Sequence, residues 1–131
     1  MSLADYFETT RGMGVLATSD SDGNVDVAIY SRPYIVADNT IALSMLERLS
    51  YANIQSNPKA AYMFVEHGKG YAGKRLYLTM TSEEEDGERV AEIRQQHSRV
   101  GHSDDKIRHM MYFTVDRTRP LVGDKHQEPD V

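Results

Sequence analysis

Two extended runs joined by a turn occupy Gly14-Val15-Leu16-Ala17-Thr18-Ser19-Asp20-Ser21-Asp22-Gly23-Asn24-Val25-Asp26-Val27-Ala28-Ile29-Tyr30-Ser31. Gly14 to Ser19 is rich in small and β-branched residues and reads as a strand. Asp20 to Asn24 is the turn, with Gly23 supplying the positive φ that tight hairpins require. Val25 to Ser31 returns as a second strand. Its period of two sets Val25, Val27 and Ile29 on one face and Asp26, Ala28 and Tyr30 on the other.

Working outward, Pro33 cannot donate to a ladder, so a bend or a sheet edge falls there. Tyr34 to Ala37, the Asp38-Asn39 turn and Thr40 to Met45 form a second hairpin. Upstream, Ser2 and Asp5 have capping-box spacing ahead of Tyr6 and Phe7, predicting a short helix that stops at Arg11-Gly12. Leu49, Ala52, Asn53 and Ile54 recur at helical spacing, and Asn57-Pro58 ends that helix. Ala60 to Glu66 is almost wholly apolar and reads as a strand buried on both faces. Leu76, Leu78 and Met80 alternate with Tyr77, Thr79 and Thr81 as a half-buried strand. Glu83 to Gln96 reads as a helix whose first-turn acids Glu83-Glu84-Glu85-Asp86 complement its dipole. Met111 to Val115 is the last strand.

About six strands and two or three short helices, joined mostly by hairpin-length turns, define an antiparallel barrel of α+β, mainly β, character. There is no regular β-α-β alternation, which counts against a doubly wound sheet. The 131 residues make one domain, assigned to 1–123, with a flexible tail at 124–131. A chain of this size buries roughly two-thirds of its unfolded surface without disulfides or a structural metal.

Composition narrows the functions. The net charge is −5 and the pI about 5.5, which argues against nucleic acid and anionic membrane as partners. Mean hydropathy is −0.56, no apolar run is long enough to span a bilayer, and the N-terminus does not resemble a signal peptide. With no cysteine there is no disulfide, thiol nucleophile or thiolate-held cluster, so redox chemistry requires a bound cofactor. A cytoplasmic location is expected.

Several motifs resolve to bland readings. Gly68-Lys69-Gly70-Tyr71-Ala72-Gly73 is a literal G-x-G-x-x-G, but the alternating segment after it is a strand, whereas a dinucleotide fingerprint demands a helix. A hairpin loop is expected instead. His97 and His102 lack the spacing of a zinc site, so no metal is expected, and no nucleophile elbow is present. The seven methionines read as core filler.

The functional signal lies in Met45-Leu46-Glu47-Arg48-Leu49-Ser50-Tyr51-Ala52-Asn53-Ile54-Gln55-Ser56-Asn57-Pro58. Arg48 and Ser50 stand between a strand end and a helix start, where a guanidinium, a hydroxyl and free helix N–H groups together can bind a phosphate. The alternative is a solvated Arg48 with Ser50 as a simple cap.

These runs, in order, resemble the pyridoxamine-phosphate oxidase-like family of FMN-binding split barrels. The resemblance is carried by Gly14 to Thr18, the turn at Gly23, Val25 to Tyr30, and Asn53-Ile54-Gln55-Ser56-Asn57-Pro58-Lys59-Ala60-Ala61-Tyr62-Met63-Phe64. It extends from Thr10 to Thr81, with a looser echo in the last strand. It implies a six-stranded antiparallel split β-barrel with short flanking helices, binding FMN as a homodimer with the flavin at the subunit interface. By the same resemblance Arg48, Leu49 and Ser50 meet the flavin phosphate, with Lys74 or Arg75 assisting. The ring then lies against Ala28, Tyr30, Ser31 and Arg32.

The chain departs from the oxidase proper at two points. Leu49-Ser50 stands where the oxidase has an Arg-Lys pair, and Ala28 stands near an arginine of its second strand. Vitamin B6 oxidation is therefore not expected. The expected function is an FMN-binding redox protein, either a flavin reductase or an electron carrier, reduced by a nicotinamide or a protein donor. The alternatives are haem (with His67 or His109 as ligand) or a deazaflavin in the same fold, or a non-enzymatic binding module.

Overall fold

The computed structural model describes residues 2–68, 70–85 and 108–123. Its elements run α1 (Leu3–Thr9), β1 (Gly12–Ser19), β2 (Val25–Tyr30), β3 (Tyr34–Ala37), β4 (Thr40–Leu46), α2 (Leu49–Ser56), β5 (Lys59–Glu66), β6 (Gly73–Glu85) and β7 (Arg108–Pro120). The strands form one seven-stranded sheet in the order β2-β1-β5-β6-β7-β4-β3, and every adjacent pair is antiparallel. The expected α+β, mainly β, class holds, with seven strands where about six were expected. The sheet is an open, split barrel. Its two edges, β2 and β3, are successive strands joined by Ser31-Arg32-Pro33.

Curling buries one face of the sheet. Leu16, Ile41, Leu43, Met45, Tyr62, Phe64, Leu76, Leu78, Met111 and Phe113 turn inward as one cluster. α1 closes one mouth of the barrel. The Ser2 side chain accepts from Asp5 N at 3.1 Å, and Phe7 packs edge-on against Phe64 with ring centroids 5.1 Å apart. The helix ends at Thr9, ahead of Gly12, because Thr10 is already extended.

The β1–β2 turn forms as expected. Asp20 accepts from the Asp22 and Asn24 backbone, and Gly23 has φ of 87°. Gly14 serves a different purpose. A Cβ there would lie 2.6 Å from Tyr62 Cζ and 2.7 Å from the Tyr30 carbonyl oxygen. Only glycine lets the Tyr62 hydroxyl cross β1 to donate to Ser31 O at 2.9 Å.

Three expectations are corrected. Glu83, Glu84 and Glu85 lie in β6, paired with Met111, Met110 and His109 of β7, and so are not a helix N-terminus. Partners explain the strand: Glu83 accepts from Tyr51 and Gln55, and Glu84 from Tyr112. Positions 86–96 of the expected helix, the His97/His102 pair and the 124–131 tail lie outside the described residues. Second, β5 is buried on one face only: Tyr62 and Phe64 are enclosed, but Met63 is exposed. Third, β7 begins at Arg108, three residues before the expected start.

As expected, the glycine-rich stretch leads into a strand and not a helix: β6 starts at Gly73 and pairs antiparallel with β5. Among the described residues, no helix is long and apolar enough to cross a membrane.

Candidate functional site

The connection between the edge strands leaves a pocket of about 350 Å³ against the split. One wall is β2, through Asp26, Ala28, Ile29, Tyr30 and the following Ser31. The opposite wall is the outer surface of β3, β4 and β7, through Tyr34, Ser44, Leu46 and Arg108. Arg48, Leu49 and Ser50 complete the rim.

The β4–α2 turn positions that rim. Leu46 O accepts from Arg48 N at 2.8 Å, which tightens the turn. Arg48 is the N-cap of α2 in extended backbone, and its side chain makes no capping bond. The first intrahelical bond is Ala52 N to Arg48 O at 3.0 Å. The amides of Leu49, Ser50 and Tyr51 thus lie in the helix turn whose N–H groups lack intrahelical acceptors. Asn53 anchors the helix from below, donating through its buried amide to Thr18 Oγ1 at 3.0 Å.

Burial pushes the Tyr30 phenol above its ordinary value; a hydrogen bond from the Ser50 hydroxyl and the Arg48 charge oppose that rise, while Asp26 adds to it. Tyr30 therefore stays a neutral hydrogen-bonding group. Among the described residues Asp26 is the only acid lining the pocket. The Ser44 hydroxyl is buried without a hydrogen-bond partner, so a polar group is available in the floor.

The structure brings Ala28, Tyr30, Ser31, Arg48, Leu49 and Ser50 together around one pocket. It does not bring Arg32 or Lys74 there. Arg32 Nη1 donates to Phe7 O at 2.7 Å and so ties down the end of α1. The Lys74 ammonium lies 4.8 Å from the Tyr6 ring centroid, and Arg75 donates to Pro120 O at 2.8 Å. Both act at the β5–β6–β7 side of the barrel. Asp26, Tyr34, Ser44 and Arg108 were not anticipated in the site. For Arg108 the available signal was its period-two position before Met110, hidden by the charged residues preceding it.

A buried polar cluster adjoins the turn. His109 Nε2 lies 2.7 Å from Glu47 Oε2, and its Nδ1 lies 3.3 Å from Glu83 Oε2, close enough for an ion pair but outside hydrogen-bond geometry. Its ring stacks on Tyr51 at 4.4 Å and 25°. Tyr51 in turn donates to Glu83 Oε2 at 2.9 Å.

A set of residues with one exposed arginine, a helix N-terminus, hydroxyls and a partly apolar wall suits a ligand that joins an anionic group to a flat ring. The fold is similar to that of solved proteins described as FMN-binding or as pyridoxamine 5'-phosphate oxidases. An FMN-binding protein from Syntrophomonas wolfei subsp. wolfei superposes with a TM-score of 0.77 at 18% identity, over 93% of this chain and 85% of that one. An F420 reductase gives 0.71 at 14%, over 91% and 98%. A Clostridium acetobutylicum protein of the pyridoxinephosphate oxidase family, related to general stress protein 26, gives 0.58 at 16%, over 88% and 83%. No family model and no curated protein matches the sequence.

Proposed function

We propose that this chain is a cytoplasmic FMN-binding redox protein that works as a homodimer, with the flavin held in the pocket at the split. The observation that carries the reading is the convergence of Arg48, the N-terminus of α2 at Leu49 and Ser50, and the Tyr30–Ser31 wall on one pocket. Arg48 and the amides of Leu49 and Ser50 would hold the phosphate. Ala28 and Tyr30 would offer their faces to the ring, and Asp26 an acceptor for a ring N–H. Bound FMN supplies the hydride or electron chemistry, and the protein binds, orients and shields it. No lining residue is placed as a dedicated acid or base, which favours a reductase or carrier over an oxidase with its own substrate chemistry. The acidic charge and absence of cysteine support the cytoplasmic location.

The homodimer is supported by the uncovered face of the sheet. Val25, Val27 and Ile29 are 81%, 67% and 73% exposed, although their alternation is that of a core strand. Across β1 they continue into Val15 and Ala17, and then into Met63 and Ala61 of β5. A contiguous apolar face of this kind marks an interface. Ile29 belongs both to that face and to the pocket, so a second copy seated there would also cover the flavin, which a shallow pocket cannot enclose alone.

Haem is disfavoured by the same geometry. The His109 nitrogens face Glu47 and Glu83, and His67 is exposed on the β5–β6 loop. The test is an absorption spectrum of the purified protein followed by FMN titration and light scattering. A flavin doublet, saturable FMN binding and a dimer mass are expected. A Soret band, a deazaflavin spectrum, or no binding and no thermal shift with FMN would each overturn the assignment. Bleaching of the bound flavin by NADH or NADPH would identify a reductase, and reduction by a protein donor alone would identify a carrier.

A further inference from the structure

We infer that Arg32 and the Tyr62 hydroxyl are positioning residues, which clamp the Ser31-Arg32-Pro33 connection and so hold the two walls of the pocket at a fixed separation. The inference rests on the reading of that pocket as the flavin site. The connection joins β2 to β3, the two edges of the split, and the residues at its ends line the pocket from both sides. Tyr30 and Ser31 belong to one wall and Tyr34 to the other. Three residues thus set the width of the opening that a flat ring must enter.

The sequence makes this link stiff before any contact holds it. Pro33 has a fixed φ and biases Arg32 toward extended backbone. What remains is to fix where the stiff link sits, and two contacts from the barrel side do so. Tyr62 of β5 is fully buried and donates to Ser31 O at 2.9 Å. Arg32 does not line the pocket. Its Nη1 donates to Phe7 O at 2.7 Å and, more weakly, to Thr10 O at 3.4 Å.

These carbonyls lie at the C-terminal end of α1, where the last acceptors of a helix lack intrahelical donors and a cation suits the dipole. The Phe7 ring in turn meets the Tyr62 ring edge-on, with centroids 6.4 Å apart. The contacts therefore close a circuit from Phe7 through Arg32 and Ser31 to Tyr62 and back to Phe7. Among the described residues α1 contributes nothing to the pocket lining, yet the pocket wall is moored to it.

The experiment measures FMN and riboflavin dissociation constants for the wild type, Arg32→Gln, Tyr62→Phe and the double variant. The two ligands share the ring and differ in the phosphate, so a displaced wall weakens both alike. Each single variant should bind both ligands about five- to tenfold more weakly, the effect of losing roughly one hydrogen bond. Because both residues hold one link, the double variant should fall well short of the product of the two losses. Leu78→Val opens the buried core at β6 and leaves these contacts in place, so it controls for lost stability and should bind as the wild type does. A loss confined to FMN in Arg32→Gln would make the guanidinium a direct phosphate ligand and overturn the proposal. Wild-type affinity for both ligands in the folded variants, or losses that simply multiply, would overturn it as well.

A second measurement needs no flavin. In the ligand-free protein, backbone order parameters at the Ser31 and Arg32 amides should fall from the rigid range, about 0.85, toward about 0.6 in Arg32→Gln and Tyr62→Phe. They should not change in Leu78→Val. Unchanged order in the first two variants overturns the positioning role whatever the affinities. If FMN binds nowhere and the order still falls, the flavin reading fails and the clamp stands. Should Arg32→Gln not fold, Tyr62→Phe, which removes a single oxygen atom, carries both measurements.

Discussion

Arg48→Ala tests the site most directly. Among the described residues two arginines line the pocket, Arg48 at the rim and the buried Arg108 in the floor. Of the two, Arg48 stands at the N-terminus of α2, with no capping bond of its own. A hydrogen bond to a charged group contributes about 1.5–3 kcal/mol, and the exposure of Arg48 places it in the lower part of that range through solvent screening. A loss of about 1.5–2 kcal/mol corresponds to FMN binding weakened about 10- to 30-fold. Riboflavin, which has the ring but no phosphate, should bind wild type and variant within about twofold, since neutral ring contacts do not depend on Arg48. Raising the salt should narrow the gap for FMN, because an exposed ion pair is screened. Fluorescence titration of both ligands at two ionic strengths measures all of this. If riboflavin weakens as much as FMN, Arg48 supports the ring or the fold. If FMN affinity is unchanged while Arg108→Ala abolishes it, the phosphate lies at the other end of the pocket and the assignment of the turn is wrong.

Other outcomes follow from the same contacts. Ser50→Ala should cost more in melting temperature than in FMN affinity, because this buried hydroxyl is engaged with Tyr30; a larger loss in binding than in stability would make it a direct ligand contact. Val27→Asp should leave the monomer folded but shift light scattering from dimer to monomer and weaken FMN. A dimer that persists would remove the β2 face from the interface. Gly14→Ala should destabilise by about 2–4 kcal/mol, the range for severe overpacking and lost buried hydrogen bonds, and perturb the pocket by displacing the Tyr62 hydroxyl from Ser31. A chemical melt within about 0.5 kcal/mol of wild type would contradict the contact geometry. Tyr6 is a case of alkaline linkage. Burial, then its hydrogen bond to Glu66, raises its pKa above the ordinary 10.0, so its contribution is full below about pH 10 and is lost as pH climbs beyond. Tyr6→Phe should flatten the alkaline fall in stability seen in denaturant melts from pH 9 to 11; an unchanged fall would assign it to other groups.

Much of the architecture was legible because local chemistry and tertiary structure agree. Gly23 and the Asp20 side chain specify the β1–β2 turn, Asn57-Pro58 ends α2, and the alternation of Leu76 and Leu78 sets the inner face of β6. Where sequence and structure part, a distant partner decides. Glu83 and Glu84 favour a helix start on their own, yet they become strand residues because Tyr51, Gln55 and Tyr112 supply donors from elsewhere in the chain. The period of two in β2 was plain, but not that its more apolar face looks outward, since a chain pattern carries no information about what a second molecule covers. Arg48, Leu49 and Ser50 were readable as a turn before a helix. Arg108, Ser44 and Asp26 were not, because nothing local links three residues that meet only when the edges of the sheet are drawn together.

The strand order carries a consequence for how the chain matures. β4 and β3 join the rest of the sheet through β7 alone among the described strands, and β7 is the last of these strands to be synthesised. Until then the nascent chain can hold two separate pieces: the β3–β4 hairpin, and a ladder of β2, β1, β5 and β6. Pairings this distant in sequence are slow to form, since the loop entropy must be overcome before any contact compensates for it. The pocket draws one wall from each piece and Arg108 from the strand that joins them. No chain that stops before residue 108 therefore contains it, and a ligand can enter only once β7 has been made. Cofactor supply during translation would not rescue a shortened chain, and any stop before residue 108 would leave two unjoined sheets rather than a weaker version of the same protein.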